Sequence, residues 1–135
     1  TAVERINRDA AAECLQVRAI TGDLGDYEIR GNYDTVVSIG LLMFFPREKT
    51  FSLLNDMQAR VEMDGCAIVN VLIEGTTFLE MFREGHFTLF GRDELARQFA
   101  GWEICLSRQD SFDVPDGTRK VFSTVIARKT APHLQ

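Results

Sequence analysis

Tyr33-Asp34-Thr35-Val36-Val37-Ser38-Ile39-Gly40-Leu41-Leu42-Met43-Phe44-Phe45 is the stretch on which the reading of the whole chain turns. Its first half is β-branched and almost continuously apolar, without strict alternation, which predicts a strand over 35–39 covered on both faces. Gly40 stands where that strand ends. A glycine there serves either a strand-to-helix turn or the close approach of a ligand to the backbone. Leu41 to Phe45 either line an apolar pocket or join the core. Pro46 suits the first turn of a helix, where its missing N–H costs nothing. Phe51, Leu54, Met57 and Val61 then share one helical face, so the helix is expected to run to about Met63. Asp64-Gly65 should stop it, and 66–73 reads as a second buried strand.

Upstream of the central run, residues 3–14 are rich in helix formers, with Val3, Ile6 and Ala10 at helical spacing. Leu15 to Ile20 predicts a short strand closed by Thr21-Gly22-Asp23, and 24–32 a loop or single turn. Downstream, 74–90 has no clean period and carries Phe78, Phe82, Phe87 and Phe90. A long apolar loop of this kind usually covers something. Residues 92–100 form a short helix with acids in its first turn and Gly101 after its end. Two strands, 102–112 and 120–129, flank the turn Val114-Pro115-Asp116-Gly117. The tail 130–135 reads as frayed. Strand and helix thus alternate up to residue 100 and a hairpin closes the chain. The expected fold is an α/β sheet, mainly parallel, with an antiparallel hairpin at its C-terminal end.

The 135 residues suit one domain, and 45% apolar with 26% charged residues excludes a disordered chain. A formal net charge of −5 disfavours non-specific nucleic-acid binding. No apolar stretch approaches the roughly twenty residues a membrane-spanning helix needs. Cys14, Cys66 and Cys105 have neither zinc-site nor redox-motif spacing, so buried free thiols in a reducing cytoplasm are expected.

In open α/β sheets ligands bind beyond the carboxyl ends of the strands. Those ends are Asp23-Leu24, Ser38 to Met43, and 71–77. Asp23 is either a turn former or a carboxylate that accepts from an exocyclic amine while the next N–H meets a ring nitrogen. His86 and His133 lack partners at metal or triad spacing, so no metal site is expected. Arg108, Arg119 and Lys120 are either a small basic spot or a solvated hairpin edge.

Gly22-Asp23-Leu24 precedes Tyr33-Asp34-Thr35-Val36-Val37-Ser38 and Leu42-Met43-Phe44. Leu54 to Gln58, Asp64-Gly65, Phe87-Thr88-Leu89-Phe90, Glu94-Leu95, Gly101-Trp102-Glu103 and Ala127-Arg128-Lys129 follow. In this order and spacing the chain resembles, over about residues 3–129, a class I S-adenosylmethionine-dependent methyltransferase. More narrowly it resembles the tellurite-resistance protein B (TehB-like) family. The resemblance implies a Rossmann-like sheet of order 3-2-1-4-5-7-6, here lacking its first two strands. Residues 1–135 would then be the C-terminal two-thirds of one N-terminally truncated methyltransferase domain.

The same resemblance implies S-adenosyl-L-methionine as cofactor. Asp23 and the Leu24 backbone would hold its adenine. Ser38, Ile39, Gly40 and Leu41 would lie along the methionine moiety and sulfonium, with Met43 and Phe44 beside the adenosine or the methyl channel. The aromatic loop 78–90, Phe87 included, would lie over the acceptor side. Family members carry a histidine-arginine pair near the last hairpin; here 110–120 has no histidine, and Arg119 is the counterpart.

The implied reaction is methyl transfer to a soft anion or thiol (tellurite, a selenium or a sulfur compound). Another small metabolite, or a non-catalytic nucleoside-binding or interaction domain, are the alternatives. The glycine-rich loop after the first strand and the acid that holds the ribose have no counterpart in this piece, so by itself it is not expected to be a competent enzyme. Its open sheet edges would be filled by a missing N-terminal portion, by a second copy in a homodimer, or by direct pairing of 15–20 with 35–39. A small-molecule substrate, a cytoplasmic location and no nucleic-acid or membrane partner complete the expectation.

Overall fold

A ladder of backbone hydrogen bonds joins β1 (Tyr33–Ile39) to β2 (Val61–Leu72) in parallel. β4 (Arg119–Arg128) then pairs antiparallel with both β2 and β3 (Glu103–Asp113), giving the order β1-β2-β4-β3. This is the 4-5-7-6 half of the expected order. Three strands point one way and β4 runs against them. The computed structural model describes residues 1–131. His133, and with it most of the tail expected to fray, lies outside the described residues. No helix among the described residues is long and apolar enough to cross a membrane.

The register sorts the side chains. Val36 and Ser38 of β1 face the same side as Ala67, Val69 and Val71 of β2 and as Val125 and Ala127 of β4. Onto that side packs α2 (Arg47–Ala59) through Leu53, Leu54 and Met57, joined by Leu95 and Phe99 from the short α3 (Glu94–Arg97) and its following turn. The expectation that 35–39 is buried on both faces fails: Val37 is 54% and Ile39 67% exposed, because no helix among the described residues covers their side.

Three boundaries also differ. α2 ends at Ala59 and not near Met63, because Val61 turns into the core and Tyr33 N–H donates to Arg60 O at 2.8 Å, opening the β1–β2 ladder. Asp64-Gly65 is a bulge within β2 and no chain-reversing turn. Tyr33 pairs with Val61 and Thr35 already with Cys66, so the extra β2 residues arch outward. Asp64 takes φ +68 there, while its N–H donates to Lys129 O and Lys129 N–H to Gly65 O, both at 2.8 Å.

Leu15 to Ile20 is not a strand. No strand among the described residues lies beside it, and an extended segment without a partner has no ladder to join. It runs back along α1 (Ala2–Ala12), where the Asn7 side chain takes the partner's place. Asn7 Nδ2 donates to Ala19 O at 2.9 Å and Ala19 N–H donates to Asn7 Oδ1 at 2.7 Å. The direct pairing of 15–20 with 35–39 therefore does not occur. The thiols also depart from expectation: Cys14, past the end of α1, and Cys105, on the edge strand β3, are exposed, and Cys66 is half-buried.

Candidate functional site

The carboxyl end of β1 is shaped by Gly40, whose φ of +64 is a conformation that a side chain rarely tolerates. Its N–H donates to Asn70 O at 3.0 Å, the last rung of the parallel ladder, before the chain turns into the 3-10 turn Leu42–Phe44. That turn is held from beneath by Thr50, whose hydroxyl donates to Leu42 O at 2.6 Å. Leu42 and Met43 are buried and Phe44 is partly exposed. The sequence left Leu41 to Phe45 between pocket and core; the buried pair joins the core side, and Leu41 and Phe44 remain at the surface.

The segment before β1 comes back to the same place. Tyr27 N–H donates to Asp23 O at 2.8 Å, closing the single turn expected over 24–32, and Leu24 and Ile29 lean toward β1. Between them lies a cavity of about 120 Å³ lined by Leu24, Ile29, Val36, Ser38, Leu41 and Leu42, with Leu53 and Met57 at its floor. Ser38 is only 5% exposed, and its hydroxyl has no hydrogen-bond partner among the described residues. An unpaired buried hydroxyl costs about 1–3 kcal/mol, so an arriving polar group would be welcome there.

Asp23 does not line this cavity. One of its carboxylate oxygens accepts from Gly25 N–H at 2.8 Å, an Asx turn, which leaves the other oxygen free. Ile39 and Gly40 face a different hollow of about 380 Å³ on the uncovered side of the sheet, shared with Asn70, Phe112, Phe122 and Thr124. Asn70 Nδ2 donates there to Thr124 Oγ1 at 2.9 Å. Of the candidates for one site, the fold thus gathers Leu24, Ser38 and Leu41, and sets Ile39 and Gly40 on the reverse side of the same strand end.

Loop 74–90 is attached near both ends. Thr77 and Phe78 N–H groups donate to Arg119 O at 2.8 and 3.1 Å, and the far end returns as Thr88 N–H donates to Met43 O at 2.9 Å. In between, Phe82 stacks on Phe87 with ring centroids 4.7 Å apart and lies 5.1 Å from the Phe44 ring. Phe44 and Phe87, candidates from the sequence, are therefore joined through Phe82, which the sequence did not single out. Arg119 stands at the start of the loop, with its guanidinium 3.6 Å from Asp113. Of the two readings of Arg108, Arg119 and Lys120, a hairpin edge of matched charges fits better: Arg108 pairs with Asp110 at 2.9 Å, and Lys120 sits over the Phe78 ring. His86 closes a local turn on Arg83 O within the loop.

The residues present fit part of a nucleoside cofactor. Apolar walls and one free hydroxyl suit a part of such a ligand, but about 120 Å³ is smaller than the roughly 300 Å³ at which ligand pockets begin, and no carboxylate lines it.

Comparison with known proteins adds the wider frame. A probable S-adenosyl-L-methionine-dependent methyltransferase TehB of Haemophilus influenzae is 26% identical over 130 residues, covering 92% of this chain and 45% of that protein. The crystal structure of TehB from Haemophilus influenzae matches with TM-score 0.78 at 21% identity, over 95% of this chain and 46% of that one. Magnesium protoporphyrin IX methyltransferase of Synechocystis, crystallised with SAM, matches at TM-score 0.62 and 14% identity, over 95% of this chain and 54% of that one. A Burkholderia thailandensis 1,6-didemethyltoxoflavin-N1-methyltransferase with bound S-adenosylhomocysteine matches at 0.64 and 18%, over 93% and 56%. The chain thus has the Rossmann-like methyltransferase fold and spans about half the length of the relatives it matches. The family model of tellurite resistance protein TehB matches residues 1–114, and the chain belongs to that family.

Proposed function

We propose that these residues are the C-terminal two-thirds of a methyltransferase domain that takes its methyl group from S-adenosyl-L-methionine. The observation that carries this is the meeting of Leu24, Ser38 and Leu41 around one cavity at the carboxyl end of β1, with the Ser38 hydroxyl buried and unpartnered. In an open α/β sheet that is where a nucleotide-like ligand is held.

In this reading Asp23 uses its free carboxylate oxygen toward the adenine amine, and the Leu24 N–H faces the ring. Ser38, Ile39, Gly40 and Leu41 follow the methionine part, and Met43 fixes the turn beneath it. The cofactor, when bound, supplies a methyl group on a sulfonium that is already an activated leaving group. What remains for this chain is to position the acceptor and to exclude water. Phe44, Phe82 and Phe87 form an apolar wall suited to both tasks, and Arg119 anchors the start of the loop that carries two of those rings. A soft acceptor, a tellurium, selenium or sulfur anion, attacks the activated methyl without deprotonation and so asks of this wall only position and dryness. A small metabolite is the other acceptor class. In this reading the outer edge of β1, which pairs only with β2 among the described residues, is filled by the upstream strands; for the piece alone a homodimer through that edge is the alternative.

Calorimetry with S-adenosylhomocysteine on this chain and on the same chain extended upstream tests the reading. The longer protein should bind, and Asp23→Ala should weaken it by about 1–3 kcal/mol. An unchanged isotherm removes Asp23 from the site; no binding by either length overturns the proposal. Labelled cofactor incubated with tellurite, selenite and thiols then separates the acceptor classes.

A further inference from the structure

The loop that carries Phe82 and Phe87 is tied down near its two ends, the far end closing where Phe90 N–H donates to Leu72 O at 3.2 Å and Phe90 O accepts from Glu74 N–H at 2.7 Å. At its start, Thr77 and Phe78 bond to Arg119, and Thr76 exchanges hydrogen bonds with Val121. Between 79 and 87, among the described residues, every hydrogen bond is local: Phe82 N–H to Leu79 O and His86 N–H to Arg83 O. The next attachment is Thr88. It is buried, its N–H donates to Met43 O at 2.9 Å, and its hydroxyl donates to Phe45 O at 2.8 Å.

Those two carbonyls belong to the turn that follows Gly40. Phe45 O also accepts from the Thr50 hydroxyl of α2 at 3.2 Å, so two threonines from different elements converge on one oxygen. Phe44 lies between the two carbonyls that Thr88 engages, and its ring is the one that Phe82 touches. Phe90 fixes the far end of the loop to β2, and Thr88, with two donors, is the residue that registers it against the turn carrying the Phe44 ring.

We propose that Thr88 is a positioning residue: its paired donors to Met43 and Phe45 set the aromatic loop against the turn after β1 and so couple the acceptor side to the cofactor side. The coupling itself is read from contacts; its meaning for catalysis rests on the function proposed above.

Thr88→Val keeps shape and burial and removes the hydroxyl alone, leaving Phe45 O only the longer 3.2 Å approach of the Thr50 hydroxyl, whose proton goes to Leu42 O at 2.6 Å. In the full chain, hydrogen exchange at the bonded amides of Phe82, His86 and Thr88 should then rise about five- to tenfold, the factor that one modest hydrogen bond supplies. The Phe44–Phe82 ring contact, read by NMR, should weaken. Amides of Val69 and Val125 in the sheet should stay within about twofold, since the sheet does not depend on this bond. Thr88→Ser, which restores the hydroxyl, should bring the loop back to within about twofold of the parent. An unchanged loop in Thr88→Val, a Ser variant that behaves like Val, or a rise spread equally through β2 and β4 would each overturn the proposal. Should the Val variant not fold, the parent chain decides: a Thr88 amide that exchanges as fast as that of Gly85 shows there is no clamp. None of these measurements uses the cofactor. A clamped loop in a protein that ignores S-adenosylhomocysteine therefore removes the proposed function and leaves the coupling, and the reverse result removes Thr88 alone.

Discussion

Leu15-Gln16-Val17-Arg18-Ala19-Ile20 and Thr35-Val36-Val37-Ser38-Ile39 are both short runs with β-branched residues, each followed by a glycine one or two positions on, yet only the second is a strand. The second lies against β2, and every residue from Thr35 to Ile39 has a partner in the ladder. The first lies against α1, where a helix has no free backbone groups to offer. A single asparagine side chain therefore supplies one donor and one acceptor in place of a strand. Strand formation is a property of a pair, and the same local preference yields different structure when the partner differs. The contrast extends to burial: from α1 through residue 32 only Ala10 is buried, whereas the later segments supply the whole core cluster.

The largest test of that contrast removes the same atoms from both regions. Leu54→Ala takes a fully buried side chain from beneath the sheet and should cost about 3–4 kcal/mol in denaturant unfolding. A cost equal to that of a surface leucine would mean that α2 does not seal the core. Next comes Gly65→Ala, where a Cβ would meet Asp34 O at 2.5 Å and Glu62 O at 2.9 Å. Backbone cannot yield as a side-chain tip can, so a loss of about 2–3 kcal/mol is expected, and an unperturbed melting curve would show that the bulge is soft.

Asn7→Ala should cost about 1 kcal/mol, seen as faster exchange of the Ala19 amide while the sheet amides hold. Equal acceleration everywhere would make the first region part of the main cooperative unit and dissolve the contrast.

A smaller effect comes from acid. Arg47 forms a two-pronged ion pair with Glu94, which also accepts from Gly91 N–H at 3.1 Å. The Arg47 hydrogen bond holds the Glu94 carboxyl below its ordinary 4.5. A carboxyl lowered in the folded state stabilises fully above the unfolded value, and that contribution is lost as pH falls past 4.5 and through the lowered one. Because Arg47 is largely exposed, the loss stays below about 1 kcal/mol. Glu94→Gln should flatten the acid limb of a stability-versus-pH curve; an identical limb removes this pair from the account. The smallest effect belongs to Leu15→Ala, which is half-exposed and should stay within about 0.5 kcal/mol.

Much of the sheet was legible before any coordinates. The helical spacing of Leu54 and Met57 placed α2, because burial on one face imposes a period, and the nearly continuous apolar runs at 35–39 and 66–73 placed β1 and most of β2. The Asp-Gly hairpin signal likewise placed β3 and β4. The bulge at Asp64-Gly65 was not legible, since a turn and a bulge ask for the same residues and differ only in what lies alongside. Within the candidate site, Asp23, Ser38 and Gly40 stood out through their place at strand ends. Phe82 and Thr88 did not, as nothing in a local pattern marks a ring that will touch Phe44 or a hydroxyl that will find Phe45 O.

By itself the sequence determined the α/β class, which follows from local preference and the pattern that burial imposes, while the family and the strand order came from the resemblance of its motifs to the TehB-like methyltransferases. Tertiary structure alone decided that 15–20 stays unpaired, that β1 is bare on one side, and that Leu24 meets Ser38 while Thr88 meets the turn after Gly40. Those outcomes depend on groups far apart in the chain, and a hydrogen bond or a packed ring exists only when both of its halves arrive.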